Sequence, residues 1–99
     1  MSVPLSDAPA EIRDLVSSGL LRPDGSCAID ALSHRARSWS GWETIFYSLE
    51  IEEGDDGEIL YQITEGSMES GFNTIESYED VDEATYWITE QISKKEAEQ

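Results

Sequence analysis

The sequence predicts a small α+β domain: a three-stranded antiparallel sheet packed by a C-terminal helix and preceded by two short helices, in the order α-α-β-β-β-α. Three observations carry this. Residues 42–63, WETIFYSLEIEEGDDGEILYQI, alternate with period two on both sides of a turn signal. Residues 79–95 carry Val81, Ala84, Ile88 and Ile92 at helical spacing. The chain has 99 residues, 38% of them hydrophobic, with three Trp, four Tyr and two Phe, enough for one modest core and one domain spanning 1–99.

Taken in order, residues 1–7 read as a loose leader. Asp7 is a plausible N-cap for a first helix running to about Ser18, with Ile12, Leu15 and Val16 as its apolar stripe and Gly19 just past its end. Pro23-Asp24-Gly25 signals a turn. Ser26 can cap a second helix over 27–39. Ile29, Leu32, Ala36 and Trp39 would share one face of it, and Gly41 would end it.

The hairpin follows. Ile45, Tyr47, Leu49 and Ile51 share one face of the first strand, and Thr44, Phe46, Ser48, Glu50 and Glu52 the other. In the second strand Ile59, Tyr61 and Ile63 share a face. A one-residue slip would put every apolar side chain on the wrong side. Two-residue loops at Asp55-Asp56 or Asp56-Gly57 mix the faces. A three-residue loop, Asp55-Asp56-Gly57, sets Glu53 against Ile59, Ile51 against Tyr61 and Leu49 against Ile63. It also needs a left-handed third residue, where Gly57 stands.

Gly66 to Gly71 reads as a loop, and 72–76 as a short third strand. Ser77-Tyr78-Glu79-Asp80 resembles a capping box with Asp in place of Glu. The last helix opens with Glu79, Asp80, Asp82 and Glu83 and closes with Lys94 and Lys95, an order that suits the helix dipole. Residues 96–99 should fray.

The formal net charge is −16. It is uneven: residues 1–41 hold five acids against four arginines, net −1, and residues 42–99 hold seventeen acids against two lysines, net −15. Such a field repels nucleic acid and anionic lipid and favours basic partners. The order of the last five elements resembles that of double-stranded-RNA-binding domains. Those domains grip phosphates with lysines at the start of the last helix; here that helix begins with carboxylates, so no nucleic-acid ligand is expected.

No catalytic or cofactor motif is present, so no enzymatic activity, cofactor or catalytic residue is expected. His34 and Cys27 are the only His and Cys, too few for a structural zinc site, and the twelve-residue calcium-loop pattern is absent around Asp55. His34 reads as an exposed residue one turn after Asp30, forming an i, i+4 pair with it. Trp39 and Trp87 read as core, and Trp42, on the wetter parity with Phe46, as the better interface candidate. One cysteine precludes an internal disulfide and is compatible with a reduced compartment. No basic stretch leads into an apolar run at the N-terminus, and no run approaches a membrane span. A cytoplasmic protein, free of membrane and present as a monomer or weak dimer, is the expectation.

Two explanations fit the acidity. The first is a salt-adapted, halophile-type protein that acts through protein–protein contacts, with the carboxylates as a solubility device. The alternative is a nucleic-acid mimic that inhibits or regulates a basic or DNA-binding protein. The interaction patch expected in that case is the hairpin tip, Glu53, Asp55, Asp56 and Glu58. Turn chemistry and protection against edge aggregation explain acids at such a tip without any ligand. Glu79, Asp80, Asp82 and Glu83 could likewise imitate phosphate spacing, although the helix dipole already accounts for them.

Overall fold

The computed structural model describes residues 7–22 and 27–98. Most of the leader, the Pro23-Asp24-Gly25 turn and the Ser26 cap lie outside the described residues. Helix α1 spans Ala10–Ser17, strand β1 His34–Ser38, β2 Gly41–Glu53, β3 Ile59–Ser67, β4 Gly71–Tyr78 and helix α2 Val81–Ala97, with a short 3-10 turn at Asp30–Leu32. The four strands form one antiparallel meander in the order β1-β2-β3-β4. Among the described residues the sheet therefore has four strands rather than three, and one helix plus a 3-10 turn precedes it rather than two helices.

The β2–β3 hairpin has the register that its alternation demands. Glu53 faces Ile59, Ile51 faces Tyr61 and Leu49 faces Ile63. Gly57 has φ +85°, and the loop closes through Gly57 N–H to the Gly54 carbonyl at 3.0 Å and Gly54 N–H to the Glu58 carbonyl at 2.7 Å. This is a three-residue loop with its left-handed residue last.

The predicted helix over 27–39 does not form. Ser33 is extended, with ψ 140°, and His34 to Ser38 pair with Ile45 to Gly41 as β1. Cys27 and Ile29 meanwhile bond to the β2 backbone at Leu49 and Tyr47. β2 is thirteen residues long, and its outer edge needs partners along that whole length. Satisfying that edge outweighs a local helical pattern. Ile29 and Leu32 are buried as expected, but Trp39 sits in the β1–β2 turn and is fully exposed, not core.

The helix starts also differ. The N-cap of α1 is Pro9, without a side-chain bond, rather than Asp7. That of α2 is Asp80, whose Oδ1 accepts the Asp82 N–H at 2.9 Å, so Ser77 stays in β4 and there is no capping box. Residues 96 and 97 are helical. Gly66 and Ser67 belong to β3, and β4 is longer than the short strand expected. Its register shifts opposite Ile63 and Thr64, leaving Ile75 as the extra residue of a bulge.

Helix α2 lies against the sheet at β3 and β4, and α1 lies against α2. Ile12 and Leu15 of α1 and Ala84, Ile88 and Ile92 of α2 meet Leu49, Ile51, Tyr61 and Ile63 in a single core. Tyr47, Val81 and Trp87 pack at its margin. On the other face, Ser48 and Thr64 share a buried hydroxyl hydrogen bond of 2.5 Å. Trp42 is 58% exposed there, with the Arg37 guanidinium 5.8 Å from its ring centroid, a cation–π distance. The β3–β4 loop is pinned by Glu43: Ser67 and Ser70 hydroxyls donate to its Oε2 at 3.0 and 2.9 Å.

Candidate acidic surface

Thirteen residues of strand span roughly 40 Å at ~3.3 Å per residue, close to the longest dimension of the molecule, 43 Å. The β2–β3 loop therefore stands at one end of the chain's long axis. β4 returns to that end, since Tyr78 pairs with Tyr61 two residues from the start of β3. Helix α2 begins there and runs back along the sheet. Two acidic segments far apart in sequence, 53–58 and 79–83, are thus delivered to one end.

Glu53, Asp55, Asp56 and Glu58 are all exposed there, as are Glu79, Asp80, Asp82 and Glu83. Several have local work. Asp56 Oδ1 accepts the Glu58 N–H at 3.1 Å and shapes the loop, and Asp80 caps α2. Glu58 and Glu79 are different. The Glu58 carboxyl is held above its usual range, first by a hydrogen bond with Glu79 that favours its protonated form, then by the charges of Glu79 and Asp56. A like-charge contact of this kind is relieved when a cationic group arrives. The alternation and the turn made the tip legible in the sequence. Its junction with the start of α2 was not, because it depends on where β4 ends.

The other candidates fall elsewhere. His34 lies on β1 and not one helical turn from Asp30; its Nδ1 is 3.3 Å from the Leu32 carbonyl, its ring centroid is 6.0 Å from that of Tyr47, and Asp30 pairs with Arg22 at 3.2 Å. Cys27 is half-buried, and burial pushes its thiol pKa up, which disfavours the reactive thiolate. Trp87 is half-buried at the edge of the core. It borders a groove between α2 and the sheet that also holds His34, Tyr47, Glu65, Lys94 and Lys95. No sequence motif pointed to that group, since its members come from four separate elements. Among the described residues, no three or more His, Cys, Asp or Glu are grouped to hold a metal, and no helix is long and apolar enough to cross a membrane.

No protein-family model matches the chain, and no curated protein or solved structure is significantly similar to it.

Proposed function

We propose that this chain is a non-catalytic binding domain that acts through contacts with another protein in the cytoplasm, its acidic end receiving a basic surface. The delivery of two exposed acidic segments, 53–58 and 79–83, to one end supports this reading most directly. Like charges gathered there repel one another. A partner rich in Arg and Lys, such as a DNA-binding protein, would convert that repulsion into charge-assisted hydrogen bonds. Loops carried on a rigid sheet are favoured positions for such contacts.

The test uses two charge reversals of equal net charge. Glu58→Lys with Glu79→Lys alters the acidic end; Glu96→Lys with Glu98→Lys alters the far end of α2. The probe is a small, sequence-nonspecific basic DNA-binding protein, with duplex DNA as competitor. The first pair should abolish saturable binding, the second should leave it within a few-fold, and duplex DNA should displace the chain. Equal losses in both pairs would show that only net charge matters.

A second reading, salt adaptation, has its own support. Glu69, Glu96 and Glu98 are exposed and lie away from the acidic end, so part of the charge is a general coat. The two readings are compatible, and they differ in how stability responds to salt.

A further inference from the structure

At the end of the molecule away from the hairpin tip, the C-terminal half of α2 leaves a groove of about 520 Å³ against the sheet. Leu32, Ile75 and Trp87 give it apolar walls, and the Tyr47 ring borders it. Ile75 lines the groove although it is the extra residue of the β4 bulge, a common use of bulges to re-aim a side chain. The volume falls within the ~300–1,000 Å³ typical of small-molecule sites.

The polar groups at this groove are unusual for the chain. Both lysines and the single histidine of a molecule with twenty-two acids meet here. β1 places His34, and the last turns of α2 place Lys94 and Lys95. Lys95 Nζ donates to the Ser33 carbonyl at 2.6 Å, which leaves an ammonium with two further N–H groups. Lys94 approaches Glu90 at 3.4 Å in an exposed i, i+4 pair, a weak interaction that yields readily to a competing anion. The opposing charges are Glu65 and Glu98 in the groove and Glu90 beside Lys94. Glu65 already accepts the Tyr47 hydroxyl at 2.5 Å, so its capacity for a ligand cation is partly used. Glu83, of the acidic end, stands eleven residues before Lys94 on α2, roughly 16 Å at ~1.5 Å per residue, about two Debye lengths at physiological salt, so it repels an anion at the lysines only weakly.

We propose that this groove binds a small organic carboxylate with an aromatic or branched apolar body. The carboxylate lies against Lys94 and Lys95, and the body against Trp87, Ile75 and Leu32. A bare oxyanion would leave the apolar walls uncovered, and an amine would meet two ammonium groups.

The test is an amide-shift titration of the full chain, labelled with nitrogen-15, near physiological salt. The probes are phenylacetate and 4-methylpentanoate, with phenylethylamine as the charge-reversed control. Either carboxylate should give saturable shifts at Leu32, His34, Ile75, Trp87 and residues 91–95, and the amine none there. Lys94→Gln, which leaves the Ser33 contact intact, should weaken binding about tenfold, the scale of one lost charge-assisted hydrogen bond. Glu96→Gln on the same helix should not weaken it. No saturable shift with either carboxylate, an equal response to the amine, or unchanged affinity in Lys94→Gln would each overturn the proposal. None of these results bears on the acidic end.

Discussion

Two glycines show how differently one residue type constrains the chain. A Cβ built on Gly57 meets nothing within 4 Å, so its constraint is purely the positive φ. Gly57→Val should destabilise by about 1–3 kcal/mol, the scale of a strained backbone position. Asp56→Ala removes one exposed hydrogen bond and should cost about 0.5–1.5 kcal/mol. Equal urea midpoints for the two variants would contradict the loop assignment. Gly66 has no unusual φ, yet a Cβ there would lie 2.0 Å from the Gly71 carbonyl oxygen. The first glycine follows from the turn pattern; the second follows from how closely β3 and β4 approach, which no local pattern records. Tyr47 is a third case. Burial first, then its hydrogen bond to Glu65 and the Glu65 charge, push its pKa up to about 12. An unfolded tyrosine ionises near ~10. Between these values the unfolded chain has lost a proton that the folded one keeps, so stability falls as pH rises from about 10 to about 12. Tyr47→Phe should flatten part of that fall in urea midpoints, and Tyr61 and Tyr78, also raised chiefly by burial, should account for a remainder. An identical pH profile in Tyr47→Phe would contradict this.

At the scale of elements, α2 closes the core. Ile88 is wholly buried in the core, and α2 lies against β3 and β4. Ile88→Ala should cost about 2–5 kcal/mol in a urea titration, the range for a buried large-to-small change. A cost near zero would mean that the stripe does not face the sheet. This helix was legible because four apolar residues repeat at its spacing, and the β2–β3 hairpin because a one-residue slip would invert both faces. The stretch 27–39 was not. Ile29 and Leu32 are buried as the helical spacing implied, yet His34-Arg35-Ala36-Arg37 also alternates, and the open edge of β2 decides between the patterns. The Ile75 bulge, which turns an exposed-edge residue into a groove wall, is likewise a property of strand pairing.

At the scale of the molecule, the fold sorts charge along its length. Acids from 53–58 and 79–83 gather at one end, while His34, Lys94 and Lys95 border the groove away from it. The excess of acid in residues 42–99 was visible in the sequence; its focusing through Glu58 and Glu79 was not. If, as proposed, this end meets a basic partner, the repulsion is local to it rather than spread over the molecule. Thermal unfolding across potassium chloride, from millimolar to molar, tests it most directly when wild type is compared with Glu58→Gln. Because the Glu58 pKa is raised in the folded chain, its ionisation opposes folding at neutral pH. The protein should be fully folded in dilute buffer, with a melting temperature that Glu58→Gln raises more than Glu96→Gln does. That difference should vanish at molar salt, where the Debye length is ~3 Å. A chain unfolded in dilute buffer, whose stability climbs steadily to molar salt and responds equally to either substitution, would contradict it.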